Sequence, residues 1–475
     1  MALPAHKTKI VCTIGPVSES RDVMEQMLLA GMNIARLNFS HGDFESHEKI
    51  IKKLREASEA AGIRLSIMAD LPGPKMRIGQ FVEEPIELKR GDSFTLSTKE
   101  IMGNKRRVSV SYTHLPKVVK PGDTLYLNDG YIQLQVISVN EDDVECIVIV
   151  GGELRSRKGL NLPNIDLGIS AFTEHDHECL RFALAQGVDA VSQSFVERAS
   201  DIEKVRNAAE ALGHNPFVIA KIERSNAENH LDEILKVADG IMIARGDLGV
   251  EFPIERIAII QKNIMQQANI QGKPVITATQ MLESMTKNRR PTRAEVSDVT
   301  NAILDGTDCV MLSGESAMGM YPVDSVRMLV NISSAIESQL MRPRGIDLVK
   351  KNDHNEGIKL RDIIAQSVNT TSKSISSAAV FVPTHSGASA RSISRFRLPE
   401  WIIGLSSQER TCQNLQFSYG VYPVKFSDHP DNWKSYIKDW MQSHDMEGNL
   451  VILTEGPSSK HPEASNRMEI IDLKK

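Results

Sequence analysis

Two charged residues stand two positions apart at the end of a segment that is otherwise apolar. Residues 217–226 read FVIAKIERSN, in which Lys221 and Glu223 follow the apolar run. Side chains two apart in a β-strand point to the same side, so this strand would direct an ammonium and a carboxylate into one interior. One such pair alone is also compatible with a structural salt bridge. Whether the pair belongs to a functional site or to a structural salt bridge depends on whether other strands end in the same way.

Polar residues also end four further apolar runs. They are Arg36, Asn38 and Ser40 in the second run, Asp70 in the third, Arg245 and Asp247 in the sixth, and Thr279 in the seventh. Unrelated salt bridges would not share this position at the end of each strand. We therefore favour a functional site built from strand ends, with a set of buried structural ion pairs as the alternative.

Glu223 and Asp247 are the candidate ligands of a divalent cation. Mg²⁺ accepts one or two carboxylates and leaves its other positions to water and substrate oxygens, and Mn²⁺ can replace it. Lys221 and Arg36 bring positive charge to the same place, which indicates an anionic ligand that carries phosphate and a carboxylate. The backbone amides around Gly246 could hold that carboxylate where the next helix starts.

Eight short apolar runs alternate with segments of helical periodicity, most of which end at glycine. The runs cover residues 9–15, 33–40, 64–71, 189–195, 217–223, 240–248, 274–280 and 308–316. Strand–helix units in series predict an α/β fold with a closed parallel (β/α)₈ (TIM) barrel, formed by residues 1–71 and 169–344. The carboxyl ends of such strands meet at one rim, where the chemistry of these barrels takes place.

Two further domains are predicted from the remaining segments. Residues 72–168 contain alternating runs such as DSFTLST, RRVSVSY and YIQLQVISV, separated by turn signals, and predict an inserted small β-barrel that covers the rim as a lid. Residues 345–475 follow a polar connector and alternate short strands with helices, which predicts an open α/β domain at the C-terminus.

Composition excludes several classes of partner. The net charge is -5 with both signs mixed along the chain, so no nucleic-acid partner is expected. The first residues do not resemble a secretory signal, and no apolar span approaches the roughly 18 residues that cross a membrane. The five cysteines are widely spaced, which indicates neither a disulfide framework nor a zinc site. We expect a cytoplasmic protein that does not bind membranes.

Long motifs resemble those of the pyruvate kinase family over essentially the whole chain. They include CTIGP, GMNIARLNFSHG, IAKIE, MIARGDLGVE, ATQMLESM, RRPTRAEVSDV and LSGESAMGMYPV, in this order. The resemblance implies a barrel, an inserted lid and a C-terminal regulatory domain, usually in a homotetramer. It also implies that phosphoryl is transferred from phosphoenolpyruvate to ADP, giving pyruvate and ATP at the last step of glycolysis.

The resemblance also implies roles for individual residues. Arg36 is similar to the contact of the substrate phosphate, and Lys221 to the lysine that balances charge on the transferring phosphoryl and on the enolate. Glu223 and Asp247 match the Mg²⁺ ligands. The remaining matches are Gly246 and Asp247 at the substrate carboxylate, Thr279 beside the enolate carbon, and Asn38, His41, Arg77 and Lys158 on the nucleotide side.

Lys75 departs from the family pattern. Many members have a glutamate at this position and use K⁺, held by residues that match Asn38, Ser40, Asp70 and the carbonyl of Leu71. A lysine ammonium could take the place of that cation and repel it, so K⁺ is expected not to be required. The alternative is that Lys75 extends into solvent and K⁺ binds as usual.

The segment VFVPTHSGASARSISRFR predicts a strand, a turn rich in hydroxyl groups and glycine, and the start of a helix. Its residues Thr384, His385, Ser386, Gly387 and Ser389 could surround a phosphate, although an ordinary turn between strand and helix is the alternative. Effector sites of the resembling family occupy this loop. The resemblance therefore favours activation by a phosphorylated sugar or nucleotide.

Two other functions are compatible with parts of the pattern. One is a Mg²⁺-dependent carbon–carbon lyase of an oxo-acid on a related barrel, which would not need a lid that holds a nucleotide. The other is a sensor that binds metabolites without catalysis, which would have little use for Lys221 and Thr279 together. Release of pyruvate that depends on ADP would separate the kinase from both.

Overall fold

The computed structural model describes residues 2–339, 359–427, 429–456 and 465–475. The strands in chain order are β1 (Lys9–Thr13), β2 (Ile34–Asn38), β3 (Ser66–Leu71), β4 (Ile86–Leu88), β5 (Ser93–Ser97), β6 (Arg107–Ser109), β7 (Thr124–Leu127), β8 (Ile132–Val139), β9 (Asp143–Val150), β10 (Gly152–Leu154), β11 (Leu160–Asn161), β12 (Ala190–Gln193), β13 (Phe217–Ile222), β14 (Gly240–Ala244), β15 (Val275–Ala278), β16 (Cys309–Leu312), β17 (Ala379–Pro383), β18 (Trp401–Ser406), β19 (Val421–Lys425), β20 (Leu450–Glu455) and β21 (Arg467–Asp472).

The α-helices run between and beside these strands. They are α1 (Arg21–Ala30), α2 (Phe44–Ala61), α3 (Leu115–Val118), α4 (Glu174–Ala185), α5 (Ala199–Ala211), α6 (Ser225–Asn229), α7 (Leu231–Val237), α8 (Arg245–Glu251), α9 (Ile257–Ile270), α10 (Arg293–Asp305), α11 (Gly314–Ala317), α12 (Pro322–Glu337), α13 (Leu360–Ser374), α14 (Ala388–Ser394), α15 (Glu409–Leu415) and α16 (Trp433–Ser443), with 3₁₀ turns at Ile254–Arg256 and Glu283–Thr286.

The eight predicted runs form a closed parallel barrel in the order β1-β16-β15-β14-β13-β12-β3-β2. Its interior is filled by side chains from alternate positions of the strands, among them Phe217, Ile219 and Met242. The intervening residues, such as Val218 and Ala220, face outward into the larger core beneath the helices. Because parallel strands are buried on both sides, their sequences read as continuous apolar runs. The predicted barrel is confirmed.

Two predicted runs extend beyond the strands that form. The sixth strand ends at Ala244, and the following residues begin helix α8 instead of continuing the strand. Arg245 and Asp247 therefore do not share one side of a strand. Arg245 turns toward α10, where its Nη1 lies 2.7 Å from the Asp298 carboxylate. The eighth run likewise ends at Leu312 and passes into α11.

The segment between β3 and α4 forms a separate β-rich unit. Its strands make a six-stranded sheet in the order β11-β7-β8-β9-β5-β6 and a two-stranded sheet of β10 and β4. The two sheets share one apolar core that includes Phe94, Leu134 and Leu154. The alternation of buried and exposed residues along β8 reproduces the period of two that the sequence shows.

The C-terminal segment forms an open five-stranded sheet in the order β19-β18-β17-β20-β21, with only β21 antiparallel to its neighbour. This segment contacts the amino end of the barrel. Phe417 stacks on Phe217 with 5.1 Å between the ring centroids, and Arg397 donates to both carboxylate oxygens of Asp308 at 2.7 and 2.9 Å. The predicted start of this domain, at residue 345, lies outside the described residues.

Within the described part of the chain, no helix combines the length and the apolar character that a membrane crossing needs.

Candidate active site

Strand β13 explains why charged groups reach the barrel interior. Phe217 and Ile219 face inward near the amino end of this strand, and the same alternation places Lys221 and Glu223 on the inner side at its carboxyl end. Both side chains are almost fully buried, with exposed fractions of 10% for Lys221 and 2% for Glu223. The carboxylate Oε1 of Glu223 lies 2.9 Å from the Lys221 Nζ.

Asp70, at the end of β3, connects the charged groups of three strands. Its carboxylate accepts hydrogen bonds from Arg36 Nε at 2.9 Å and from Ser192 Oγ at 2.6 Å, and it lies 3.3 Å from Lys221 Nζ. Burial acts to raise the pKa of Asp70, but the charges of Lys221 and Arg36 outweigh it and hold the pKa below its usual value. Asp70 is therefore ionised and orients both cations.

Lys221 is held in its charged form. Burial acts to lower its pKa, but the neighbouring carboxylates of Asp70 and Glu223 raise the pKa above its usual value. Its Nζ also donates to Ser194 Oγ at 2.6 Å. A lysine that is held in place and stays protonated is suited to stabilising negative charge and unsuited to accepting a proton.

The carboxylates of Glu223 and Asp247 fit a hard divalent cation. Burial raises the pKa of Glu223; Lys221 opposes this effect, and the like charge of Asp247 adds to it. A cation between the two carboxylates would relieve their repulsion. Among the described residues no cluster of three or more His, Cys, Asp or Glu side chains could hold a metal. Mg²⁺ does not need one, because water and substrate oxygens complete its coordination.

Glu223 is positioned by a residue that the sequence did not single out. Its Oε2 accepts a hydrogen bond of 2.8 Å from the backbone N–H of Phe195, which has a positive φ of 58°. The ring of Phe195 packs against Gly73, where an added Cβ would lie only 2.8 Å from the ring. A φ in the left-handed region is uncommon for a bulky residue and costs energy. No pattern in the sequence marks Phe195 for this conformation.

Thr279 and Gly246 contact each other across the rim. The backbone N–H of Gly246 donates to Thr279 Oγ1 at 2.8 Å, and that hydroxyl donates to the Ala278 carbonyl at 2.6 Å. Thr279 has a φ of 67°, and Arg245 Nη2 donates to its carbonyl oxygen at 2.7 Å. Arg245 therefore fixes the strained turn that presents Thr279, a role that its position in the sequence did not reveal.

The residues expected on the nucleotide side belong to two segments. His41 follows β2. Arg77 and Lys158 lie on two neighbouring segments of the inserted unit, where Ile78 N donates to the Lys158 carbonyl at 2.9 Å. Burial lowers the pKa of His41, and the charges of Arg77, Lys75 and Arg36 lower it further. Arg77, Lys75 and Arg36 thus bring positive charge to the surroundings of His41.

The residues expected around K⁺ are engaged with one another or with neighbouring groups. Asn38 Oδ1 accepts from Ser40 N at 3.2 Å, and the Leu71 carbonyl accepts from Ser194 Oγ at 2.7 Å. Lys75 is exposed, but it lies close enough for its charge to act on His41.

The residues expected to bind an effector are remote from this rim. They lie between β17 and α14 in the C-terminal segment, where Thr384 Oγ1 accepts from Gly387 N at 3.0 Å. Gly387 has a positive φ of 78°, and Ser386 is exposed. The strand, turn and helix start predicted from the sequence are present.

A (β/α)₈ barrel with arginine, lysine and carboxylate side chains at its strand ends, next to an inserted β unit, defines an enzyme class that handles small anions. Sequence comparison specifies this class further. The family pattern of the pyruvate kinase barrel domain matches residues 5–326, and that of the pyruvate kinase alpha/beta domain matches residues 362–471.

Relatives that align over nearly their full length are pyruvate kinases. The pyruvate kinase of Thermococcus litoralis is 45% identical over 100% of both chains, and that of Thermotoga maritima is 38% identical over 96% of this chain and 97% of its own. A crystal structure of a pyruvate kinase from Cryptosporidium parvum superposes with a TM-score of 0.90 at 34% identity, covering 99% of this chain and 96% of that chain.

The chain belongs to the pyruvate kinase family. The predicted fold class and the predicted pyruvate kinase function are confirmed at this level, and the lyase alternative is not favoured. Enzymes of this family generally use Mg²⁺ and act on phosphoenolpyruvate and ADP.

Proposed function

We propose that this chain transfers the phosphoryl group of phosphoenolpyruvate to ADP, giving pyruvate and ATP, at the strand ends that carry Arg36, Asp70, Lys221 and Glu223. The observation that carries the proposal is the set of contacts around Asp70, which orients one arginine and one lysine beside the cation carboxylates. A phosphorylated carboxylic acid offers negative charge to both cations at once.

Each polar group has a distinct part in this reaction. Arg36 binds the substrate phosphate, and Asp70 keeps its guanidinium oriented. Glu223 and Asp247 would hold Mg²⁺, which would supply positive charge to the substrate oxygens. Lys221 adds a fixed charge that stabilises the transferring phosphoryl and the enolate left behind.

Pyruvate is completed by protonation of the enolate carbon. Thr279 lies next to Gly246, whose backbone faces the substrate carboxylate in this proposal. The Thr279 hydroxyl would pass a proton to that carbon from water, because the protonated Lys221 is committed to three partners in the free enzyme. His41, Arg77, Lys158 and Asn38 would contact ADP.

Omitting ADP tests this proposal against the alternatives. The purified chain with phosphoenolpyruvate and Mg²⁺ should form pyruvate only when ADP is added. Pyruvate formation at the same rate without ADP, or from an oxo-acid by carbon–carbon cleavage, would favour the lyase. Binding of phosphoenolpyruvate without turnover would favour the sensor.

The division into domains supports a lid in this proposal. We take residues 1–71 and 169–344 as the catalytic barrel, residues 72–168 as the lid and residues 345–475 as the regulatory domain. Arg77 and Lys158 would move with the lid, so that its closure brings them to the phosphates and excludes water. The homotetramer and the cytoplasmic location expected from the sequence stay predictions.

Lys75 is proposed to replace K⁺. Its charge acts on the same area as those of Arg36 and Arg77, as the pKa of His41 reflects. The candidate K⁺ ligand Asp70 already faces two cations, so a third would be repelled in surroundings of low dielectric constant. Extension of Lys75 into solvent, with K⁺ bound as usual, is the alternative.

Turnover should be nearly independent of K⁺ in the wild-type protein. In tetramethylammonium salts at constant ionic strength, adding K⁺ should change kcat by less than about tenfold, or about 1.4 kcal/mol in the barrier. Lys75→Glu should be slow in tetramethylammonium and recover when K⁺ is added. The charge reversal Lys117→Glu, at an exposed lysine of α3, should create no such dependence. A wild-type requirement for K⁺ would contradict the assignment.

The loop between β17 and α14 is the proposed effector site. The hydroxyl groups of Thr384, Ser386 and Ser389, the backbone of Gly387 and the side chain of His385 would surround the phosphate of a sugar or nucleotide. The exposure of His385 and Ser386 supports this proposal, because it leaves these side chains accessible to a phosphate.

Activation should be lost when negative charge is placed in this loop. Ser386→Glu should raise the half-saturating concentration of an activating phosphorylated sugar or nucleotide by at least about tenfold, because the carboxylate repels its phosphate. Ser374→Glu, at the exposed end of α13, should leave activation unchanged. Saturation curves that do not respond to any member of a panel of such metabolites would refute the site.

A further inference from the structure

Arg224 directly follows the candidate cation ligand Glu223, yet its guanidinium bonds to other segments of the chain. The guanidinium is only 4% exposed and uses all three of its nitrogens. Nε donates to Glu197 Oε1 at 3.0 Å, Nη1 to Glu251 Oε1 at 3.1 Å, and Nη2 to the Ile165 carbonyl at 2.9 Å. An arginine in this arrangement fixes the relative positions of its three acceptors.

Two of the three acceptors belong to the segments that present the cation carboxylates. Glu197 lies two residues after Phe195, whose backbone N–H holds the Glu223 carboxylate at 2.8 Å. Glu251 is the last residue of α8, the short helix that carries Asp247 in its first turn. Arg224 therefore links the support of one candidate ligand to the helix of the other.

The third acceptor belongs to the inserted unit. Ile165 lies on the return from the insertion, between β11 and α4, and its carbonyl is held to the barrel by Arg224. The segment that leads from β3 into the insertion has a different contact, because Gly73 N donates to Oδ1 of Asp176, in α4, at 2.8 Å. The returning segment is thus tied to Arg224, the residue that follows Glu223 in the chain. A cleft of about 340 Å³, lined by Asp166, Phe195 and Arg224 among others, lies beside this contact.

The contact is specific to a guanidinium. Glu251 is 1% exposed and Glu197 is 18% exposed, and Arg224 forms an ion pair with both carboxylates. Burial raises the pKa of Glu251 and Arg224 opposes that rise, while Glu197 adds to it. A lysine could neutralise one carboxylate, but its single nitrogen cannot span acceptors on three segments.

The geometry points to Arg224 as a positioning residue that couples closure of the insertion to the placement of the Glu223 and Asp247 carboxylates around the cation. This inference rests on the proposed function, and it goes beyond it by naming the contact through which the insertion and the cation site act on each other. The guanidinium nitrogens of Arg224 bond to Glu197, Glu251 and Ile165, and not to the candidate cation ligands Glu223 and Asp247. Groups that orient metal ligands without touching the metal commonly influence its affinity.

Binding of Mn²⁺ without turnover provides the first test. Free Mn²⁺, measured by electron paramagnetic resonance in the presence of phosphoenolpyruvate, should report an affinity about 10- to 100-fold weaker in Arg224→Met than in the wild type. Arg224→Lys should show a loss in the same range, because charge alone does not restore three contacts. Unchanged Mn²⁺ affinity in both variants would overturn the inference.

Arg206→Met is the matched control. Arg206 also donates to a carboxylate and to a backbone carbonyl, Asp239 at 2.7 Å and Val237 at 2.8 Å, but these lie near the amino ends of the strands. Its loss should lower the melting temperature without changing Mn²⁺ affinity. An equal loss of Mn²⁺ affinity in Arg206→Met would show that Arg224 acts only through general stability, which would overturn the inference.

Hydrogen exchange tests the link to the insertion. In the wild type, phosphoenolpyruvate and Mg²⁺ should slow amide exchange over residues 160–168, and Arg224→Met should lose this protection. The double variant Arg224→Met/Glu251→Gln removes a carboxylate left without its partner, so it should regain melting temperature but neither protection nor Mn²⁺ affinity. If melting temperature, exchange protection and Mn²⁺ affinity all recovered, Arg224 would serve only to neutralise Glu251, and the inference would be overturned.

The inference and the proposed function fail in different ways. Absence of ADP-dependent pyruvate formation in the wild-type protein would count against the proposed function. Mn²⁺ affinity and exchange protection of the wild type and the Arg224 variants are measured without ADP and decide this inference alone. A wild-type protein that binds no Mn²⁺ would overturn it.

Discussion

Glu223→Gln is expected to reduce kcat by about 10³-fold, or about 4 kcal/mol in the activation barrier, while the protein stays folded. The substitution removes the negative charge that holds the cation. It keeps a side-chain oxygen that can accept the hydrogen bond from Phe195 N, which Glu223 accepts at 2.8 Å. Asp247→Asn should act in the same direction. Steady-state turnover at saturating Mg²⁺ and substrate measures both effects.

Glu315→Gln provides the control for this prediction. Glu315 is fully buried near the carboxyl end of β16 and accepts backbone hydrogen bonds from Leu282 at 2.9 Å and Ser313 at 2.8 Å. Its replacement should reduce stability to a similar extent, with turnover close to that of the wild type. Near-normal turnover in Glu223→Gln would refute the cation assignment, and an equal collapse in Glu315→Gln would show that burial alone explains the loss.

Lys221→Met should also reduce kcat by about 10³-fold or more, because a fixed charge at the transferring phosphoryl is removed. Binding of phosphoenolpyruvate should change little, since Arg36 and the cation remain. Lys221→Arg should not restore turnover, because the planar guanidinium cannot reproduce the ammonium contacts with Glu223, Ser194 and Asp70. Single-turnover kinetics together with equilibrium binding separate the two effects.

Lys9→Met is the matched variant for a buried lysine. Lys9 is 4% exposed and donates to the Val421 carbonyl at 2.7 Å, at the opposite end of the barrel. Burial lowers its pKa to about 8. Its loss should affect stability and leave turnover near the wild-type value. A Lys221→Met protein that loses substrate binding but turns over normally at saturation would contradict the assigned role.

The barrel was predictable because its strands are buried on both sides and therefore stand out as apolar runs between amphipathic helices. The inward direction of Lys221 and Glu223 followed from the period of two along β13. The strand ends were less predictable. The sequence ARGDLGVE continues an apolar run, but the chain turns into α8 after Ala244, and Arg245 reaches Asp298.

Several residues that support the site could not be predicted from the sequence pattern. Phe195 and Thr279 have positive φ values of 58° and 67°, conformations that local sequence does not favour for such residues. Ser192 and Ser194 contact Asp70 and Lys221 only because β12 lies between β3 and β13 in the closed barrel. Such contacts depend on which strands are adjacent in the barrel, and the hydrophobic pattern of the sequence does not show this order.

Phosphorus-31 nuclear magnetic resonance tests the central claim most directly. The purified protein is mixed with phosphoenolpyruvate, ADP and Mg²⁺, and pyruvate is measured by proton resonance in the same sample. The account predicts that the phosphoenolpyruvate signal is replaced by the γ-phosphate signal of ATP, with one ATP formed for each pyruvate. Pyruvate that accumulates with inorganic phosphate and without ATP would contradict it.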